Sequence, residues 1–269
     1  MTNAAFSKAV DPPGIVMTAS SNTRMKKIIA LGATSGIAIE VQRQLAHQAC
    51  ELLLVARSPE RLATLQTDLL VRGAPQVLTY SADLSSIAQH AGILDFASRT
   101  FPDFDTVFLA YGSMRNQKDC ESSVQILVED LQVDFVSAAA ILTLFAAELE
   151  RRRTGCIAAI TSVAGDRGRR SNYLYGSAKG GLSLFLQGLR SRLYPSGVRV
   201  ITIKPGPVQT PMTDGLSNAH FADPKQVAYD IVRSLERGSP DILYTPRIWR
   251  YIMTAVKLVP ETIFKRLPL

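Results

Sequence analysis

The chain has 269 residues, 46% of them hydrophobic, enough for one sizeable core in a single α/β unit without a second domain. Its three cysteines are scattered and lack paired spacing or neighbouring His, which argues against a disulfide framework or a metal site and for a reducing cytoplasm. A formal charge of +7 favours acidic partners, but no nucleic-acid motif accompanies it, and the longest apolar runs fall short of the ~18–20 residues of a transmembrane helix.

Residues 1–24, with Asp11-Pro-Pro-Gly14 and Thr18 to Thr23, lack periodicity and read as a flexible leader. No apolar core follows a basic start, so this is not a secretory signal. The catalytic domain is expected over 25–245. It opens on the apolar run Ile28 to Leu31, the mark of a buried parallel strand, followed by Gly32-Ala-Thr34-Ser35-Gly36-Ile37-Ala38 and a helix to about Ala49. Gly32 and Gly36 allow a tight turn and close approach to a pyrophosphate, whose charge is favoured by a helix N-terminus. Further apolar runs at Leu52–Val55, Val77–Tyr80, Thr106–Ala110, Cys156–Ile160, Val198–Ile203 and Ile242–Tyr244 alternate with helical stretches. That alternation predicts a doubly wound parallel sheet with helices on both faces. Arg151-Arg152-Arg153 reads as the solvated, dipole-complementing end of a long helix.

The second strand ends Val55-Ala56-Arg57-Ser58 with no acid at its tip. A carboxylate there would hold the ribose hydroxyls of NAD, whereas Arg57, with Ser58 adding a donor, suits a 2′-phosphate and therefore NADP(H). Later in the chain Tyr175 and Lys179 stand one helical turn apart, downstream of Ser162 at the end of an apolar run. A phenol, with an ordinary pKa of about 10, is a weak acid, and an adjacent ammonium is expected to lower that value. Arg167, Arg169 and Arg170 lie between Ser162 and Tyr175 and are candidates to receive the phosphate of an anionic substrate.

Residues 246–269 form a third, amphipathic segment. Ile248, Ile252, Ala255 or Val256, and Val259 follow helical spacing, Trp249 and Tyr251 add aromatics, and Pro260 can begin a short helix through Phe264 and Leu267. Arg247, Arg250, Lys257, Lys265 and Arg266 face a single acid, Glu261. The segment reads either as a helix lying on an anionic membrane surface or as one packed onto the domain or a subunit interface.

From about Lys26 to Tyr244 the order and spacing of these motifs resemble the classical short-chain dehydrogenase/reductase family, with its single Rossmann-type fold. Gly32-x-x-x-Gly36-x-Ala38 is similar to the family's nucleotide loop, Asp83-Leu84 to its adenine-contacting pair, Ala110-Tyr111-Gly112 to its strand-end motif, and Pro205-Gly206-Pro207-Val208-Gln209-Thr210 to its nicotinamide-side loop. Ser162, Tyr175 and Lys179 fall on its catalytic positions. The resemblance implies hydride transfer from NADPH to a ketone while Tyr175 donates a proton, Ser162 orients the oxygen, and Lys179 lowers the phenol pKa and anchors the nicotinamide ribose. Four positions depart from the pattern: Leu31, Ala38, Tyr111, and Asp134 in place of the catalytic Asn. That Asn helps hold a relay water behind the Lys; Asp134 can accept the water's hydrogen bond or pair with Lys179 instead.

Ala164–Tyr173, Trp249–Met253 and Ile263–Pro268 resemble the branch containing decaprenylphosphoryl-2-keto-erythro-pentose reductase. That resemblance implies reduction of a 2-keto sugar on a polyprenyl phosphate, for an arabinose donor in cell-wall precursor synthesis. It also implies a flavin-dependent oxidase as partner and an enzyme peripheral at the inner face of the cell membrane, in keeping with the cytoplasm expected from the cysteines; a homo-oligomer is expected besides. Reduction of another lipid-linked ketone, of 3-ketoacyl or ketosphingoid type, and a nucleotide-sensing member without turnover are the alternatives.

Overall fold

The computed structural model describes residues 27–213 and 221–267. The expected leader at 1–24 lies outside the described residues. Seven strands, β1 (Lys27–Leu31), β2 (Glu51–Ala56), β3 (Val77–Ser81), β4 (Thr106–Leu109), β5 (Cys156–Ile160), β6 (Arg199–Pro205) and β7 (Ile242–Thr245), form one parallel sheet in the order β3-β2-β1-β4-β5-β6-β7. The helices are α1 (Gly36–His47), α2 (Pro59–Val71), α3 (His90–Thr100), α4 (Gln117–Ser122), α5 (Val124–Leu131), α6 (Ser137–Arg152), α7 (Tyr173–Leu193), α8 (Pro224–Arg237), α9 (Ile248–Leu258) and α10 (Glu261–Phe264). The first helix stops two residues short of the expected Ala49, because Ala49 takes a left-handed turn with φ 56° into β2.

The strands read as continuous apolar runs because both faces of the sheet are covered. Ile28 and Ala30 of β1 join Val41, Leu45, Leu65 and Ile231 of α1, α2 and α8 on one side. Ile29 and Leu31 join Ile93, Phe145 and Leu182 of α3, α6 and α7 on the other. Local signals agree with this layering: Ser35 and Ser58 cap α1 and α2, Asp223 caps α8 ahead of Pro224, and Gly238 ends α8 in a left-handed turn.

Two expectations are corrected, and a third segment, left open between two readings, makes contacts with the domain. The run from α5 through α6, Val124–Arg152, is long and apolar enough by composition to cross a membrane, yet Ile141, Leu142, Phe145 and Leu149 on it are core residues of the sheet. Midway, Gln132–Val136 form a π-helical turn, a feature that re-aims a side chain within a helix, here Asp134. Second, Arg152 and Arg153 are not merely solvated: Arg152 donates to the Phe104 carbonyl and stacks on its ring, and Arg153 donates to the Pro195 carbonyl. Third, the C-terminal segment docks on the catalytic body through one face. Trp249 turns inward with the buried Met253, and the Arg167 guanidinium donates to the carbonyls of Val256 and Val259, each at 2.6 Å, pairs with Glu261 and stacks 3.8 Å from the Phe264 ring centroid. The opposite face of α9, carrying Ile248, Tyr251, Ile252 and Leu258, is exposed.

Two features position a site. The chain leaves β1 toward β2 on one side and later enters β4 on the other, so a crevice opens at the C-terminal strand ends. After β5, the turn Val163–Asp166 lies against α7 so closely that a Cβ on Gly165 would sit 2.6 Å from the Gly180 backbone nitrogen. This contact draws Ser162 toward α7. Gly165→Ala must force turn and helix apart, and is expected to cost roughly 1–3 kcal/mol of stability in urea unfolding while displacing Ser162.

Candidate active site

A cleft of about 560 Å³ lies over the ends of β1, β4, β5 and β6, within the range usual for small-molecule sites. Its nucleotide end is built from the turn after β1. Gly32 has φ 85° and faces the Tyr111 backbone so tightly that a Cβ would meet Tyr111 Cβ at 2.6 Å. The buried Gln42 amide braces this turn by donating to the carbonyls of Ala33 and Ala38. Thr34, Ser35, Gly36 and Ile37 line the cleft there, and Gly36 packs against Thr210 from the loop after β6.

Arg57 also lines the cleft, joined by Arg61, which the sequence reading missed and whose guanidinium is anchored on the Thr34 carbonyl at 2.9 Å. Ser58 is not the expected extra phosphate donor, since its hydroxyl accepts the Arg61 N–H as helix cap and donates to Glu60. Asp83 and Leu84 line the cleft beyond β3, with Asp83 held by the amide and hydroxyl of Ser85. Ala110 and Gly112 come from the end of β4, and Pro205, Gly206 and Val208 from the end of β6. Trp249 of α9 packs directly on Gly206. The sequence reading counted Trp249 only among the aromatics of the amphipathic segment; its spacing with Met253 and Val256, a second apolar stripe on the same helix, is the signal that marks it as a candidate for the inner face.

Ser162, Tyr175 and Lys179 meet at the floor. Ser162 caps its turn by accepting the Ala164 N–H at 3.1 Å, and Lys179 Nζ lies 5.7 Å from the Tyr175 ring centroid on the next turn of α7. Asp134 does not line the cleft. It sits behind Lys179, Nζ to Oδ1 2.8 Å, with side chains only 4% and 1% exposed, and also accepts the Ser113 amide and hydroxyl. Asp134 thus pairs directly with Lys179, one of the two roles open to it.

This pair corrects the expectation for Tyr175. Burial pushes the phenol up from its ordinary pKa, and Asp134 adds to the rise, while Lys179 and the Ser162 hydroxyl pull the other way and do not prevail. The Lys179 ammonium loses hydration on burial, but Asp134 and Tyr175 outweigh this and hold its pKa above the usual value. The site therefore keeps Tyr175 protonated and Lys179 charged, the state of a proton donor beside a fixed cation.

The three candidate phosphate-binding arginines separate. Arg169 lines the cleft, and its Nε is buried without a hydrogen-bond partner in the protein; burial lowers its pKa from the usual range. The Asn172 side-chain oxygen, also on the cleft, is likewise unpartnered. Arg167 is consumed in holding α9 and α10, and Arg170 lines a separate depression with Glu261, Phe264 and Lys265. Neither faces the reacting centre. Val133, Val163, Met212 and Trp249 give the cleft apolar wall that the sequence reading did not identify.

The short chain dehydrogenase profile matches residues 26–220. An uncharacterized oxidoreductase of Mycobacterium tuberculosis is 32% identical over 248 residues, covering 92% of this chain and 99% of its own. One of Streptomyces coelicolor is 34% identical over 245 residues, 90% and 96% of the two chains. Among solved structures, a short-chain dehydrogenase from Sphingobium yanoikuyae in complex with NADPH superposes with a TM-score of 0.77 at 19% identity, over 88% of this chain and 97% of that one. A profile match over most of the catalytic body, with relatives above 30% identity along nine-tenths of the sequence, shows that the chain belongs to the short-chain dehydrogenase family of oxidoreductases.

Proposed function

We propose that this protein is an NADPH-dependent ketoreductase whose substrate is a 2-keto sugar carried on a polyprenyl phosphate. The observation that carries the reaction type is the meeting of Tyr175, Lys179 and Ser162 on the cleft floor, where burial holds the phenol above its ordinary pKa. The glycine turn at Gly32 and Gly36, opening the N-terminus of α1, fits a pyrophosphate, and Arg57 with Arg61 fits a 2′-phosphate where no acid would repel it. The Sphingobium yanoikuyae structure of like fold holds NADPH, in keeping with this choice. Bound there, the reduced nicotinamide supplies the hydride. Tyr175 Oη gives its proton to the carbonyl oxygen, Ser162 orients that oxygen, and Lys179 stabilises the phenolate and holds the nicotinamide ribose.

The substrate class rests on the other end of the cleft. The unpartnered Arg169 offers a fork suited to one phosphate, and apolar wall surrounds it. The exposed apolar face of α9, flanked by Arg247, Arg250 and Lys257, continues through Ile263 on α10 and suits an anionic bilayer in which a polyprenyl chain would stay embedded. On this reading the enzyme works at the cytoplasmic face of that membrane, supplied with its ketone by a flavin-dependent oxidase.

NADPH oxidation against a polyprenylphosphoryl 2-keto sugar, a 3-ketoacyl thioester and a ketosphingoid base separates the substrate readings, and preference for an acyl ketone would replace the sugar. Tyr175→Phe is expected to lower turnover by at least ~100-fold while NADPH still quenches Trp249 fluorescence as in wild type, because only the acid is lost. Arg57→Ala should weaken NADPH binding by about 1.5–3 kcal/mol and leave NADH nearly unchanged; equal losses would assign Arg57 to the fold. In vesicle sedimentation, Ile252→Glu with Leu258→Glu should abolish binding to anionic liposomes, and salt should weaken the wild-type interaction. Loss of a dimer instead would give that face to a second copy of the chain.

A further inference from the structure

Helix α7, which carries Tyr175, begins on a residue whose side chain does not do what its position invites. Asn172 is the N-cap: its carbonyl accepts the first helical bond, from the Gly176 amide at 2.9 Å. An Asn in that place ordinarily turns its side-chain oxygen onto the amide of the second or third helical residue. Asn116 does so at the start of α4, accepting the Lys118 amide at 2.9 Å. The Asn172 side chain makes no such bond. The amide it would serve, that of Leu174, donates instead to the Gln117 side-chain oxygen of α4 at 3.3 Å.

A neighbouring helix thus does the capping, and the Asn172 carboxamide is left over. It lines the cleft, and its oxygen is buried without a hydrogen-bond partner among the described residues. Two short spans fix where it lies. Asn172 stands one helical turn before Tyr175, and its backbone amide donates to the Arg169 carbonyl at 3.1 Å. That bond closes a tight turn, which brings the Cα atoms of Arg169 and Asn172 within about 7 Å of each other. Tyr175, the carboxamide and the unpartnered Arg169 Nε therefore reach the cleft from one short stretch of chain. A carboxamide has an acceptor, two donor hydrogens and no charge. It suits a hydroxyl, which both donates and accepts, whereas Arg169 is the stronger partner for an anionic oxygen. An alkyl group set against the same amide would expel water and leave it unpaired, so the group that rewards a hydroxyl also penalises its absence.

We propose that Asn172 is a specificity-determining residue that selects ketones bearing a hydroxyl within a few bonds of the carbonyl, by hydrogen bonding that hydroxyl while Tyr175 serves the carbonyl oxygen. The inference rests on the ketoreductase reading and deepens it: the substrate is a hydroxylated ketone rather than a plain alkyl or acyl one. Asn172 touches the substrate but none of the reacting atoms. Gln117 is a positioning residue, because by capping α7 it keeps the carboxamide free.

The test uses the full chain with NADPH and two ketones of one carbon skeleton, erythrulose, which is hydroxylated on every carbon but the carbonyl, and butanone. Hydroxyls activate a carbonyl by themselves, so the decisive quantity is the ratio of kcat/KM for erythrulose to that for butanone, compared between wild type and variant. Asn172→Ala should lower this ratio about tenfold, the scale of one hydrogen bond lost from a buried group. Asn172→Ser should do the same, and because Ser is itself a good cap the start of α7 is kept. A ratio unchanged in both variants overturns the proposal, as does an equal loss with both ketones, the mark of a residue that only supports the fold. Urea unfolding checks the premise: Asn172→Ala should leave the midpoint near that of wild type, and a drop as large as that of Asn116→Ala, which removes a working cap, overturns it. If wild type oxidises NADPH with neither ketone, the ketoreductase reading fails. Erythrulose titrated into the NADP+ complex should still shift Trp249 fluorescence in wild type and not in Asn172→Ser, and an equal shift in both, or none in either, overturns the role of Asn172 on its own.

Discussion

The ion pair between Lys179 and Asp134 is the constraint around which this site is organised. Two charges with almost no access to water are tolerated only when each compensates the other and the spare lone pairs are filled, here by Ser113. Removing one partner would strand the other in a low-dielectric interior. The pair also dictates local backbone: at Gly112 a side chain would collide with both the carboxylate and the ammonium. It links α7, the strand end after β4 and the helical run from α5 to α6, so the catalytic helix cannot shift without breaking it.

The same pair determines what the phenol can do. In isolation an ammonium beside Tyr175 would favour phenolate, and the site would be poised to accept a proton. Here burial outweighs the Lys179 charge, the Asp134 carboxylate adds to the rise, and Tyr175 stays a donor. An Asp for an Asn at one position thereby biases the resting protonation state of a residue on another helix. The sheet sets the stage for this chemistry by opening its crevice beside β1, and the glycine contact between the Ser162 turn and α7 brings the hydroxyl to the phenol.

Much of this was legible from the order of the residues. Apolar runs marked all seven strands, since a sheet covered on both faces needs no alternation, and the glycine turn, Ser162, Tyr175 and Lys179 were brought together by spacing read with the family resemblance. What escaped were consequences of long-range contact. Arg167 and Arg169 are indistinguishable as sequence neighbours, yet one clamps the C-terminal helix and the other faces the cleft, the chain bending at Arg167. Trp249 belongs to one of two apolar stripes on α9, and the stripe that docks is the one that meets Gly206. The contacts of Ser113 with Asp130 and Asp134 depend on the loop after β4 meeting the run from α5 to α6, which no periodicity encodes.

The docked stripe has a thermodynamic corollary. Trp249 packs on Gly206, part of the cleft wall, while the other end of α9 hangs from Arg167, four residues beyond the Ser162 turn's first member. Nucleotide end and outer surface of the molecule are therefore in mechanical contact through a single helix. Linkage makes any such contact a two-way account: if occupancy of the cleft changes how firmly α9 is seated, whatever binds its outer face must change nucleotide affinity by the same factor. Surface attachment and cofactor capture would then be two readings of one equilibrium.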